Sequence, residues 1–124
     1  MPRDIPDVYI DSPVVTTLRA AQARIRQAWI QRNSVKQYRP GVYAYCADAA
    51  LVCNNRGRTI RKTPSTTAAQ DALLLAIHKL TRKDSRSMSI VKFNDVWDRD
   101  KADVDQAYEV AVELQIRKEQ GLLI

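Results

Sequence analysis

Glycine is scarce in this chain: Gly41, Gly57 and Gly121 are the only 3 among 124 residues. A fold rich in tight turns leans on glycine for positive φ, whereas helices tolerate its scarcity. Cysteine is rarer still, with only Cys46 and Cys53. On one helix these two would share a face but sit ~10 Å apart by the helical rise. A disulfide needs Cα atoms within ~7 Å, so the simpler expectation is a pair of free thiols in a reducing, cytoplasmic setting. Long hydrophobic runs are missing: none approaches the ~20 residues of a membrane span. The stretch from Met1 to Asp11 carries Arg3, three aspartates and two prolines, and no apolar run of a secretory signal follows it. No membrane partner is expected.

Acid is the next shortage. From Ser12 to Gln70 there are ten basic residues and one acid, Asp48. From Asp71 to Ile124 nine basic residues face ten acidic ones. The net charge of +6 therefore hides an asymmetry. It implies either an anionic partner for the first half or contact between the two halves.

What remains is ordinary globular material. At 45% hydrophobic and 27% charged residues, the chain is too apolar for disorder, and its length suits a single domain, 1–124. The periodicity predicts an all-α fold, a compact bundle of about five helices after an extended lead-in over residues 1–11. Ser12 and Pro13 open the first helix as N-cap and first-turn proline, and it fades near Arg32–Ser34. Arg39-Pro40-Gly41 is a turn signal. A short second helix is expected from Val42 to Cys53, followed by a basic loop from Asn54 to Pro64. Within that loop Thr59-Ile60-Arg61 has some strand character. The third helix, from Ser65 or Thr66 to about Arg82, is the most apolar and the expected centre of the bundle. A fourth covers Ser85 to Asn94. A fifth, capped by Asp100 with Asp103 in its first turn, runs to about Gln120.

Several short patterns recur together: Leu18-Arg-Ala-Ala through Trp29 and Gln31, then Cys46-Ala-Asp-Ala-Ala-Leu51. Ile90-Val-Lys-Phe-Asn-Asp95 and Asp103-Val-Asp-Gln-Ala107 follow. In this order, over residues 16–115, the chain resembles a family of small uncharacterised helical proteins from actinobacteria and their phages. That family has a Trp-x-Gln, a Cys-Ala-x-Gly-Ala-Leu helix and a Trp-Asn-Asp. Ala49 stands where the family tends to have glycine, and Phe93 where it tends to have tryptophan. The resemblance implies a fold and an origin, and carries no activity.

The catalytic and metal candidates are incomplete. Cys46, His78 and Asn94 or Asp95 are the parts of a cysteine-dependent hydrolase. Yet Cys46 lies on an alanine-rich apolar stripe, and no glycine-rich oxyanion loop accompanies it. Asn94-Asp95 also suits a helix C-cap and a side-chain-bonded turn. A calcium loop from Asp98 would place Ala102 at its fifth position and Asp103 where glycine belongs. One histidine and two unpaired cysteines do not make a zinc site. Arg56-Gly57-Arg58 lacks the Gly-Lys-Ser/Thr of a phosphate loop. No cofactor or metal is expected.

Charge is the remaining signal. Arg19, Arg26, Arg32, Lys36, Arg39, Arg56, Arg58, Arg61 and Lys62 form a candidate basic binding surface, with Tyr38, Tyr43 and Tyr45 close by in sequence. Asp105, Glu109 and Glu113 share a face at i, i+4 spacing and form a candidate acidic one. The leading expectation is a non-enzymatic interaction module with a protein partner, such as a phage-encoded accessory acting on a host protein. Nucleic-acid binding through residues 19–62 is the alternative, and a cysteine-dependent hydrolase the third.

Overall fold

The computed structural model describes residues 11–83 and 88–121. Its elements run α1 (Pro13–Gln27), β1 (Val35–Arg39), β2 (Val42–Tyr45), α2 (Ala49–Val52), α3 (Pro64–Thr81), α4 (Ile90–Asp95) and α5 (Lys101–Glu119). The long helices α1, α3 and α5 pack on one another. Their contact faces form one core with the β2–α2 segment and α4, built on Leu18, Ile25, Leu51, Leu73, Ile77, Phe93, Val104, Tyr108 and Ile116. Among the described residues no helix is long and apolar enough to cross a membrane.

The helix starts follow the capping chemistry. The Ser12 hydroxyl accepts from the Val15 amide with Pro13 at the first position, as the sequence predicts. Asp100 and Asp103 form a reciprocal capping box at α5. Thr63 and Thr66 do the same at α3, which starts slightly earlier than expected because the box recruits Thr63 and Pro64. The lead-in over residues 1–10 and the first part of the expected fourth helix, residues 85–87, lie outside the described residues.

The fold is mostly helical but not all-α, which corrects the expectation from periodicity. Val35–Arg39 and Val42–Tyr45 form an antiparallel hairpin, and the helix expected over Val42–Cys53 shrinks to Ala49–Val52. Valine and tyrosine dominate these two stretches, and such side chains fit a pleated surface. Pro40 and Gly41 sit between the strands, with Gly41 at φ +77°, the residue order of a type II turn. The first helix also stops early. Ala28 turns extended, and the Tyr45 amide and carbonyl pair with the Ala28 carbonyl and the Ile30 amide, both at 3.1 Å. The chain after α1 thus lies along the outer edge of β2, where the apolar spacing of Ala28 and Trp29 mimicked another helical turn.

The basic loop is fastened to the hairpin. The Tyr45 hydroxyl donates to the Asn54 carbonyl at 2.7 Å and accepts from the Gly57 amide at 3.2 Å. Asn54 Oδ1 accepts from the Arg56 and Arg58 amides, an Asn-closed turn. Gly57 has φ +72°, and a Cβ there would meet Tyr43 at 2.8 Å and Val35 at 2.9 Å. The weak strand signal at Thr59 is a single bridge to Cys53.

Candidate binding surface

The motifs that stand far apart in sequence meet at Asn94, which is completely buried. Its Oδ1 accepts from Trp29 Nε1 at 2.6 Å and from the Ala47 amide at 2.8 Å. Its Nδ2 donates to the Ile30 carbonyl at 3.1 Å and to Asp95 Oδ1 at 2.9 Å. Gln31 Nε2 bonds the Asn94 and Val96 carbonyls. Tyr108, fully buried on α5, donates its hydroxyl to the Ala47 carbonyl. Asn94 is therefore a hub that ties α4 to the α1–β1 connection and the end of β2, rather than the helix cap its position suggested. In sequence Trp29 and Gln31 belong to one short pattern and Asn94 to another. Their common occurrence was the signal, but nothing in one sequence says that they touch.

Beside this hub lies a polar cleft of about 280 Å³ lined by Arg32, Asn33, Ser34, Cys46, Asp48, Val91 and Asp95. Its polar groups are largely committed to the fold. Asp95 Oδ1 accepts from the Arg32 amide at 2.9 Å, which holds Arg32 at φ +62°. Asp48 Oδ1 accepts from Gln70 Nε2 at 2.9 Å. Cys46 is 6% exposed, and its sulfur accepts from the Ala49 amide. Burial pushes its thiol pKa up, opposed by that amide, so the thiolate needed by a nucleophile is disfavoured. His78 is not brought to Cys46: its ring nitrogen meets the Met88 carbonyl at 3.0 Å and it does not line the cleft. Both cysteines are free and buried. Among the described residues no cluster of three or more His, Cys, Asp or Glu side chains is placed to hold a metal ion.

The charged candidates divide into two sets. Arg26 meets Asp105 at 2.6 Å and Glu109 at 3.7 Å, and Gln22 Nε2 donates to Glu109 at 2.8 Å. Glu113 pairs with Arg117 at 3.1 Å, and Arg19 with Asp11 at 2.7 Å. The acidic face on α5 is thus largely occupied from within, by α1 and by its own next turn. Arg24, another base of α1, is tied to Asn55 and the Ala50 carbonyl, both at 2.8 Å.

The second set is uncompensated. Among the described residues Lys36, Arg39, Arg56, Arg58, Arg61 and Lys62 are exposed and make no ion pair. Arg32 is exposed too, and only its backbone amide is engaged. The hairpin register puts Lys36 opposite Ala44 and Arg39 opposite Val42, hence on one face, with a bulge at Tyr38 between them. Tyr38 is 72% exposed. A cleft of about 330 Å³ beside that face is lined by Trp29, Ile30, Lys36, Gln37, Tyr38 and Ala44. Arg56 and Arg58 flank Gly57 against Tyr43 and Val35, on the other face of the hairpin. Arg61 lines a separate groove with Arg24 and Ile60. Of the predicted basic residues, those of the hairpin and loop therefore stay exposed and uncompensated among the described residues, whereas Arg19 and Arg26 of α1 are paired.

The architecture is that of a small, mostly helical domain carrying one hairpin, with a buried polar hub and a cationic rim. The chain belongs to DUF6197, a family of unknown function, whose model matches residues 10–114. No curated protein and no solved structure matches it.

Proposed function

We propose that this protein is a non-enzymatic binding module that holds an anionic segment of a protein partner on its hairpin. One observation carries this reading: among the described residues the cations of the hairpin and its loop are left without carboxylates, while Arg19 and Arg26 of α1 are paired with them. Unpaired surface charge of one sign steers and selects a partner of the other. The apolar cleft beside Lys36 adds buried contact area to that attraction. The order of its motifs, which resembles small proteins of actinobacteria and their phages, fits a cytoplasmic accessory that acts on a host protein.

A second reading rests on Tyr38, which stands exposed between Lys36 and Arg39 as a base-stacking ring between phosphate-binding cations would. A tagged pull-down from bacterial lysate, with and without nuclease, separates the two. The expected result is a protein retained after nuclease and released by the double variant Lys36→Glu, Arg39→Glu. Recovery that collapses with nuclease would transfer the surface to nucleic acid. Recovery indifferent to the double variant would refute both.

A further inference from the structure

The hairpin is covered at Tyr45 on its β2 edge and open along its β1 edge. The Cys46 amide bonds the Ser34 carbonyl at 2.9 Å, so positions 34 and 46 form a hydrogen-bonded pair, and by alternation so do Lys36 and Ala44. The intervening pairs, Val35 with Tyr45 and Gln37 with Tyr43, turn their N–H and C=O groups away from each other. On β2 the outward groups of Tyr45 are taken by Ala28 and Ile30. On β1 the outward groups of Val35 and Gln37 meet nothing among the described residues. An exposed strand edge of this kind is a template for another strand.

We infer that the outer edge of β1 binds an extended acidic peptide segment as an added strand, through the Val35 and Gln37 backbone groups, with Lys36 and Arg39 pairing its carboxylates. The inference rests on the anionic-partner reading above and specifies how that partner is held. The side-chain chemistry selects the occupant. A second copy of this chain pairing edge to edge would set Lys36 and Arg39 among their own kind, and like charges on neighbouring strands repel. An acidic strand replaces that repulsion with attraction on the same face. Because side chains alternate along a strand, the acids of such a segment recur at every second residue. The bulge at Tyr38 ends the regular edge, so the added strand is short.

The test uses the full chain and a labelled synthetic peptide that alternates glutamate with valine, with an oligothymidylate as the competing probe. Hydrogen exchange is read amide by amide, and affinity by fluorescence anisotropy. The peptide is expected to slow exchange at Val35 and Gln37 and to leave Lys36 unchanged, since its amide is already paired within the hairpin. Gln37→Pro removes one outward donor without touching a hairpin bond. It should weaken the peptide about fivefold, the worth of one hydrogen bond. Lys36→Glu with Arg39→Glu should weaken it more than about tenfold, as loss of two charge pairs does. Charge-dependent binding with no protection at Val35 and Gln37 overturns the strand addition and leaves the anionic-partner reading standing. Binding insensitive to the charge reversal overturns both. Failure of the peptide to bind, or binding of the oligothymidylate alone, overturns the acidic-peptide assignment. The exchange measurement needs no variant, so misfolding of Gln37→Pro does not blunt it.

Discussion

Two regions of this molecule carry much the same kind of positive charge and use it oppositely. Along the seam of α1 and α5, Arg26 reaches Asp105 and Glu109, and Lys101 caps the Arg26 carbonyl at 3.0 Å. There the charges close the fold on itself. At the hairpin, Lys36 and Arg39 stand on a strand with no acid in reach among the described residues, held in register by backbone bonds. Charge density read along the chain is the same in both places. What separates them is whether the fold brings a carboxylate opposite. A count of basic residues therefore overstates a binding surface by every residue that the fold neutralises.

The sharpest way to break the comparison is to remove what holds the hairpin against the helices. Asn94→Ala deprives the Trp29 indole N–H and the Ala47 amide of their acceptor in a buried site. Leaving buried donors unpaired costs about 1–3 kcal/mol each, so a loss of about 3–4 kcal/mol is expected in urea unfolding. The trimming should also abolish partner binding, because the hairpin loses its seat. A variant that unfolds at the wild-type urea concentration would show that water replaces the amide and that the hub is dispensable.

Gly57→Ala acts on the hairpin alone. The new Cβ would press on Tyr43 and Val35, at a φ that side-chain-bearing residues adopt at a cost. About 2 kcal/mol of destabilisation is expected by the same assay. Loosened exchange should be confined to β1, β2 and residues 54–58. Uniform loosening across α1, α3 and α5 would mean that the loop is part of the helical core and not an appendage of the hairpin.

The elements that sequence made legible are those with a local chemical cause. Ser12-Pro13, Asp100 with Asp103, and the apolar stripe of Ala69, Leu73, Ala76 and Ile77 each specify a helix from nearby residues, and each is where it was expected. Over residues 42–53 the spacing points to a helix, because Val42, Tyr45, Cys46 and Ala49 fall at i, i+3, i+4 and i+7, while the valine and tyrosines of the same stretch suit a strand. Only the pairing of β2 with both β1 and the chain at Ala28–Ile30 decides between them. Leu80 continues the apolar spacing of α3 but is exposed near the end of the helix. The candidate site was half legible. The cations were visible, and so was the possibility that the halves of the chain touch. Which cations are spent in that touch depends on the α1–α5 packing, and so does the role of Asn94.

Alkaline pH probes the buried region. Burial raises the pKa of the Tyr108 phenol well above its usual value, and those of the Cys46 and Cys53 thiols above theirs. For each, the folded state keeps its proton to higher pH than the unfolded state does. Stability is therefore fully present below the unfolded pKa, about 8.5 for the thiols and about 10 for the phenol, and falls as pH rises through and beyond it. Unfolding free energy should be flat up to about pH 8 and decline above it. Cys46→Ser should leave the later decline, from the phenol, in place. A stability maximum above pH 10 would contradict the burial of both groups.

The smallest expected effect draws the line between the regions most finely. Arg26→Gln removes the cation from the α1–α5 seam and leaves Asp105 and Glu109 as neighbouring carboxylates on α5. The pair is exposed, so the unfolding midpoint should drop only slightly, and the drop should shrink in high salt, which screens the repulsion between the freed acids. Partner affinity should not change, since Arg26 belongs to the closed set of charges. If Arg26→Gln weakened partner binding as much as Lys36→Glu with Arg39→Glu, the seam would be part of the binding surface after all. Its ion pairs would then be a latch that the partner opens, and the distinction between closing charges and docking charges would fail at the one residue where it can be tested with the fold left intact.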